Sequence, residues 1–265
     1  MQTPLPHIKH FCSQDAANIA VCETLASIIK QAVTERGKAR VLLSGGSTPK
    51  LAYKLLFALD LPWEHVVIMP VDDRYVAETD AGSNYGMMKT LLKGSAAEKS
   101  VTLINIVPKA PFDNDMLRGF ETLMPDMQPD VCLMGMGTDG HTASWFPGSE
   151  GLETALNADK DLAVTAIDAT RCPGAGEFPH RISFTLQSIM KSKSIILFIT
   201  GKEKAGVLKG ALCKPVEAAP VKALFDAGTG QKTCERIGVV IATRSVGLQK
   251  RHASKFGRPN HKRML

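Results

Sequence analysis

Three glycines surround a carboxylate and an imidazole in the segment GMGTDGHTAS, which covers residues 135–144. Asp139 and His141 lie two residues apart in it, and glycine allows the tight backbone turns that bring such side chains together. A carboxylate next to an imidazole is the usual arrangement of a general base and its orienting partner. A histidine alone in a loop is most often a surface residue, so this interpretation depends on which other loops meet it.

A second loop, LSGGSTP at residues 43–49, has the composition of an anion-binding turn. Gly45 and Gly46 allow the backbone to approach an anion, and Ser47 and Thr48 add hydroxyl donors at the start of a predicted helix. The loop lacks the lysine of a Walker loop and the third glycine of a dinucleotide fingerprint, so nucleotide binding is the weaker interpretation. A glycine-rich turn with a helix cap and no ligand explains the same residues equally well.

A third loop, VDDRY at residues 71–75, places Asp72, Asp73 and Arg74 directly after an apolar run. Taken alone, such a cluster is more often a solvated turn than a site. However, each of the three loops follows an apolar run, and ligands of open α/β sheets bind beyond the carboxyl ends of the strands. We therefore expect the three loops to meet.

The elements that position these loops alternate between short apolar runs and helical periodicity. Strands are predicted at residues 40–44, 65–69, 102–107, 130–134, 162–167, 181–185 and 194–200. Helices are predicted at residues 15–36, with Ser13 as the N-cap, and at 49–59, 83–92, 113–124 and 202–213. Apolar runs without polar alternation are typical of parallel strands covered on both faces. The fold class is α/β, a doubly wound, mostly parallel sheet with helices on both faces, in a single domain over residues 1–243.

The formal net charge of +6 is concentrated at one end of the chain. Residues 244–265 contain seven Lys and Arg and no Asp or Glu, which leaves a net charge of −1 for residues 1–243. The charge of the domain gives no support to a nucleic-acid-binding surface, so such a partner is not expected. The basic segment 244–265 has no apolar periodicity and is predicted to be disordered.

Composition and cysteine pattern favour a cytoplasmic protein without a metal or another cofactor. The chain is 44% hydrophobic, has no apolar run of membrane-spanning length, and does not start with the pattern of a signal peptide. Its six cysteines are scattered, with no CxxC pair and no histidine at ligand spacing. Reduced thiols and no contact with a membrane are expected.

Four segments of the sequence resemble the 6-phosphogluconolactonase family of the pentose phosphate pathway. They are GGSTP, the DDR loop with Ser83 and Asn84 after it, GMGTDGHTASWFPG, and RISFTL followed by TGKEKAGVL. These motifs are spread over residues 41–225. The related glucosamine-6-phosphate deaminases share the Asp-Gly-His element but continue it with Ile-Ala-Phe-Asn-Glu-Pro. This chain has TASWFP at residues 142–147, so the glutamate that helps the deaminase open its sugar ring has no counterpart.

The resemblance implies hydrolysis of 6-phospho-D-glucono-1,5-lactone to 6-phosphogluconate without a metal. It assigns activation of water to His141, places Asp139 and Asp72 as acidic residues that frame the site, and matches Arg74 to a family arginine. The implied phosphate ligands are Gly45, Gly46, Ser47, Thr48, Arg181 and Lys204, with Lys202 as the substitute for Lys204.

The sequence departs from the family pattern at two places. Asp73 stands where the family has a glutamate, which puts in doubt any contact that needs the longer side chain, and the segment after Ile241 runs into the basic tail.

Two other functions are also consistent with the sequence. One alternative function is deamination and isomerisation of glucosamine-6-phosphate. The other is a phosphosugar-binding regulator without catalysis, whose tail contacts nucleic acid or a partner. Ammonia release would support the first, and binding without turnover the second.

Overall fold

The computed structural model describes residues 7–107, 128–157, 162–227 and 237–242. The predicted helix at 113–124 and the predicted basic tail at 244–265 lie outside these residues. The described strands are β1 (His7–Phe11), β2 (Ala39–Leu43), β3 (Val66–Pro70), β4 (Asp72–Arg74), β5 (Thr102–Leu103), β6 (Val131–Met134), β7 (Val164–Asp168), β8 (His180–Phe184), β9 (Ser194–Thr200) and β10 (Ile237–Ala242). The described helices are α1 (Gln14–Arg36), α2 (Lys50–Phe57), α3 (Asn84–Leu92), α4 (Leu152–Asn157), α5 (Leu186–Met190), α6 (Lys202–Ala211) and α7 (Lys222–Ala227).

Seven strands form one parallel sheet in the order β1-β10-β9-β6-β2-β3-β5. Successive residues of a strand face opposite sides, so in β2 Val41 and Leu43 join one apolar core while Leu42 joins the other. Helices α1, α2 and α3 cover the first face, and α4 to α7 cover the second. The predicted fold class, a mostly parallel α/β sheet with helices on both faces, is confirmed.

Helix α1 shows why the local sequence folds as predicted. The hydroxyl of Ser13 accepts a hydrogen bond from the backbone N–H of Ala16 at 3.1 Å, and Gly37 ends the helix with φ of 70°. Between these caps, Leu25 and Ile29 are completely buried against the sheet. Burial of each such side chain stabilises the fold by about 1.5–3 kcal/mol. The predicted N-cap is confirmed.

A second, three-stranded sheet with the order β4-β8-β7 was not expected. Its strands are antiparallel, and it packs with α4 to α7 on the second face of the large sheet. The sequence interpretation was wrong to treat residues 72–74 as a loop. The strands predicted at 162–167 and 181–185 are confirmed, and they belong to this second sheet. Pairing of β4 with β8 sets Arg74 opposite Arg181 and Asp72 opposite Ser183. The small sheet therefore brings two polar strands together.

Two further differences concern the edges of the large sheet. Strand β1 was missed because four of its five residues are exposed and give no apolar pattern. Strand β5 ends at Leu103, earlier than the predicted 107. In the part of the chain that the structure describes, no helix has the length and apolar character needed to cross a membrane.

Candidate active site

The three loops that the sequence singles out meet in one cavity of about 280 Å³ at the carboxyl ends of β2, β3 and β6. Two inter-strand hydrogen bonds hold the loop bases together: Ser44 N–H donates to Leu133 at 2.9 Å, and Val71 N–H donates to Leu43 at 2.9 Å. Of the predicted site residues, those lining the cavity are Gly45, Gly46, Ser47, Thr48, Asp72, Arg74, His141, Arg181 and Lys204. Asp139 stands beside His141.

The glycine loop forms one wall of the cavity and leads into α2. Gly46 has φ of 88°, a conformation that favours glycine, and a Cβ on Gly45 would lie 1.9 Å from the side chain of Asn84. The phenol of Tyr53 donates to the carbonyl of Ser44 at 2.8 Å, which ties the loop to the core. No side chain caps the start of α2 at Pro49, so its first N–H groups can serve an anion.

Lys204, and not Lys202, supplies a cation beside this loop. Both lie in the first turn of α6, but only Lys204 lines the cavity, whereas Lys202 is exposed. The hydroxyls of Thr48 and Thr200 are 3.5 Å apart, which connects the glycine loop to the end of β9 directly before α6. The cavity thus has a cation, hydroxyl groups and a helix N-terminus on one side.

Asp139 and His141 form a close pair, of which His141 lines the cavity. Asp139 Oδ1 lies 2.6 Å from His141 Nδ1 and accepts a hydrogen bond from the His141 N–H at 3.1 Å. Burial disfavours ionisation of Asp139, but the contacts with His141 outweigh it and hold the pKa of Asp139 below its ordinary value. Because Nδ1 is engaged with the carboxylate, Nε2 is the ring nitrogen that can exchange a proton with a ligand.

Asp72 is buried and makes different contacts. Its Oδ2 accepts a hydrogen bond from the hydroxyl of Ser144 at 2.6 Å and lies 3.9 Å from Arg181 Nη1. Asp139, and not Asp72, contacts the imidazole of His141. Of the two carboxylates that were expected to frame the site, Asp139 contacts His141, while Asp72 anchors the segment after His141 through Ser144.

Asp73 is fully buried and caps helix α3. Its carboxylate accepts from the backbone N–H of Asn84 at 2.6 Å and of Tyr85 at 2.8 Å, and from the hydroxyl of Ser83 at 3.3 Å. Burial raises the pKa of Asp73, and the backbone hydrogen bonds oppose that rise. The side chain does not line the cavity, so the short reach of aspartate here suits a helix cap.

Two guanidinium groups lie side by side on the small sheet. Arg74 Nη1 donates to the carbonyl of Gly82, its guanidinium lies 5.9 Å from the ring centroid of Phe178, and its buried Nε has no hydrogen-bond partner among the described residues. Arg181 donates to the carbonyl of Ala175 at 2.8 Å and to that of Phe178. Two neighbouring cations at the cavity wall attract a negatively charged group.

Arg181 was expected as a simple phosphate ligand, but the structure places it in a more confined position. It is 5% exposed, and burial lowers its pKa to about 10, with Asp72 opposing this change and Arg74 adding to it. Its Nε and Nη2 are occupied by backbone carbonyls. Its contribution to ligand binding is therefore restricted to Nη1 and to its charge.

The sequence interpretation did not assign roles to three residues of this region. Ser144 lay inside the third motif, and its hydrogen bond to Asp72 spans 72 positions of the chain. Asn84 donates to the carbonyl of Asp72 at 2.8 Å and lines the cavity. Gly174 lies against Asp139, and only the folded chain shows that contact. Each of these contacts is long-range, so no local pattern identifies it.

The arrangement combines anion-binding groups and a candidate base in one cavity. Such a site can hold a phosphorylated molecule and transfer a proton at a fixed distance from the phosphate. Within the described residues, no three His, Cys, Asp or Glu side chains lie close enough to hold a metal ion.

Comparisons with known proteins agree on one family. The profile of the family described as glucosamine-6-phosphate isomerases/6-phosphogluconolactonase matches residues 13–234. A 6-phosphogluconolactonase of Xylella fastidiosa is 35% identical over 209 residues, which are 78% of this chain and 86% of that protein. A 6-phosphogluconolactonase of Rhizobium meliloti is also 35% identical, over 78% of this chain and 88% of its own. The crystal structure of a 6-phosphogluconolactonase from Shewanella baltica has a TM-score of 0.81 at 27% identity, covering 92% of this chain and 100% of that chain.

Proposed function

The chain belongs to the glucosamine-6-phosphate isomerase/6-phosphogluconolactonase family, and we propose that it hydrolyses the ring ester of 6-phosphogluconolactone with His141 as the general base. Relatives that match most of the chain carry the lactonase name, which supports the reaction. The observation that carries the mechanism is the 2.6 Å contact between Asp139 and His141 in the same cavity as the glycine loop.

The phosphate of the substrate binds the glycine loop and Lys204. The N–H groups at the start of α2, the hydroxyls of Ser47 and Thr48, and the Lys204 ammonium supply charge-assisted hydrogen bonds. Arg181, which also lines the cavity, adds positive charge through Nη1. With the phosphate fixed, the lactone carbonyl lies on the side of His141.

Neutral His141 removes a proton through Nε2 from the water that attacks C1 of the lactone. A tetrahedral intermediate forms, the bond between C1 and the ring oxygen breaks, and the imidazolium returns the proton to that oxygen. The product carboxylic acid then ionises in water. Asp139 holds Nδ1 and stabilises the imidazolium while the proton resides on the ring.

Arg74 stabilises the negative charge that develops on the carbonyl oxygen. The side chain lines the cavity, and its guanidinium, whose buried Nε has no partner among the described residues, keeps a positive charge there for the oxyanion. Asp72, tied to Ser144, holds the segment that follows His141. Positioned acid–base catalysis typically contributes about a hundred- to ten-thousandfold, which is sufficient for an ester that already hydrolyses in water.

We further propose a cytosolic enzyme that uses no metal or other cofactor and takes a small phosphosugar lactone as its partner. Free Cys22, Cys132 and Cys172 in the described core suit a reducing compartment. Prolonged chelation should leave the rate of lactone hydrolysis unchanged. A loss of rate that a divalent cation restores would contradict this part of the proposal.

The deciding experiment measures acid release from freshly prepared 6-phosphogluconolactone, with the spontaneous rate subtracted. The wild-type protein should accelerate hydrolysis, and it should release no ammonia from glucosamine-6-phosphate. Ammonia release would identify a deaminase. Binding of 6-phosphogluconate without turnover of the lactone would identify a regulator and overturn the proposal.

A further inference from the structure

The pair formed by Asp139 and His141 is enclosed between two glycines from separate parts of the chain. On one side, a Cβ on Gly137 would lie 2.3 Å from His141 Nδ1 and 2.6 Å from Asp139 Oδ1. On the other side, a Cβ on Gly174 would lie 2.3 Å from Asp139 Oδ2 and 3.2 Å from its Cγ. Neither position allows a side chain while the pair keeps its present geometry.

The backbone conformation of Gly174 does not itself require glycine. Its φ is not in the left-handed region, and the residue is exposed. The three nearest atoms to an added Cβ all belong to Asp139 or His141. Alanine at this position would therefore conflict with the catalytic pair and not with the core.

Several contacts hold the Gly174 segment in place. It lies in a single 3-10 turn, Pro173–Ala175, whose Ala175 N–H donates to the carbonyl of Cys172 at 3.0 Å. The carbonyl of Ala175 accepts from Arg181 Nη2 at 2.8 Å, and the thiol of Cys172 donates to the carbonyl of Pro147 at 3.4 Å. The turn is thus fixed to the small sheet and to the segment after His141.

We propose that Gly174 is a positioning residue of the lactonase site, because its bare Cα forms the wall that keeps the Asp139 carboxylate against His141. This inference rests on the proposed function. The wall is built by a segment remote in sequence from the histidine motif, and Arg181 supports it from behind. A wall that only glycine can form explains why an exposed turn contacts the pair so closely.

A methyl group added at Gly174 would displace the carboxylate of Asp139. The clashing atoms are the end of one short side chain, which can rotate, so the fold can accommodate alanine while the contact with Nδ1 at 2.6 Å is lost. Displacement of a catalytic group by about 1 Å can lower a rate by about a hundredfold. The expected effect is on turnover, because Gly174 does not line the cavity that holds the phosphate.

The test is a double-mutant cycle with Gly174→Ala and Asp139→Asn, using 6-phosphogluconolactone hydrolysis and thermal melting. Gly174→Ala should lower kcat about ten- to hundredfold, leave KM within about twofold, and leave the melting temperature near that of the wild type. In the Asp139→Asn background the same change should lower kcat by less than about twofold, because the positioned group is already impaired. Gly210→Ala is the matched control: it lies in α6 with nothing within 4 Å of an added Cβ, and it should leave kcat and KM unchanged.

Wild-type kcat in Gly174→Ala, or an equally large loss in the Asp139→Asn background, would overturn the inference. If Gly174→Ala fails to fold, Gly137→Ala tests the opposite wall in the same cycle, and additivity there would also contradict the enclosed pair. An inactive wild-type protein would instead defeat the proposed function, so the two failures are distinguishable.

Discussion

The two ends of the parallel sheet each contain a buried aspartate, and the two differ in how completely they are paired. At the amino end, Asp130 accepts from the Arg40 N–H at 2.8 Å and from Arg36 Nη2 at 2.7 Å, and Lys193 Nζ lies 3.2 Å away. At the carboxyl end, Asp72 has the hydroxyl of Ser144 at 2.6 Å, and its guanidinium neighbour stays 3.9 Å away. One network is closed, and the other is open toward a cavity.

The difference separates groups that maintain the fold from groups held for a ligand. Buried polar groups in native proteins are normally satisfied, and Asp130 follows this rule by joining α1, β2 and the residues before β9. Beside Asp72, Arg74 keeps a buried Nε with no partner in the described parts of the chain. The charged group left incompletely paired at the carboxyl end thus lies in a residue that lines the cavity.

The sharpest separation should come from His141. His141→Ala should lower the turnover of 6-phosphogluconolactone by at least about a hundredfold, because the attacking water loses its base. Its effect on stability should be limited to the lost contacts with Asp139 and Phe146. Steady-state kinetics and a urea titration measure the two effects. Near-normal kcat would show that another group is the base.

The paired aspartates offer a direct comparison. Asp130→Asn should lower the free energy of unfolding by about 1–3 kcal/mol, because buried donors lose a charged acceptor, and kcat and KM should not change. Asp72→Asn should chiefly lower kcat, since it weakens the hold on the segment after His141. Urea unfolding and lactonase assays on both variants measure these effects. A fall in kcat for Asp130→Asn would contradict the assignment of Asp130 to stability alone.

A smaller effect is expected from the lysines at the start of α6. Lys204→Ala should raise KM about tenfold with a lesser change in kcat, because a charge-assisted contact to the phosphate is made in the ground and transition states alike. Lys202→Ala is the matched control, because Lys202 lies two residues before Lys204 in the same helical turn and does not line the cavity. The KM of this variant should stay at the wild-type value. Equal effects of the two substitutions would indicate diffuse attraction, which added salt would weaken.

The smallest effect concerns acid stability. Since the pKa of Asp139 is held below its ordinary value, its ionised form stabilises the folded protein above about pH 4, and this contribution is lost as the pH falls further, through the folded-state pKa. The side chain is 33% exposed, so we expect less than about 1 kcal/mol. The stability difference between wild type and Asp139→Asn, measured by urea titration, should shrink toward low pH. A constant difference would argue against the charged contact.

Local patterns were sufficient for most of the fold and for the loops of the candidate site. Helix α1, the apolar strands β2, β3, β6 and β9, and the three loops after strands all follow from periodicity and turn residues. The small sheet did not, because residues 72–74 become a strand only by pairing with residues 181–183, more than a hundred positions later. The role of Asp73 likewise could not be predicted from the sequence, since its function as a helix cap depends on where α3 begins.

The pairing of β1 with β10 has a consequence for how the chain folds during synthesis. His7 is aligned with Gly238 and Phe11 with Ala242, so among the described strands β1 pairs only with β10, near the other end of the domain. A ribosome releases β1 early, and its hydrogen-bonding groups must wait until β10 has been made before the edge of the sheet can be completed. The cavity residues, which lie between Ser44 and Lys204, emerge before that step. Strand β1 therefore joins last, as the closing edge of a sheet whose binding end can already be assembled.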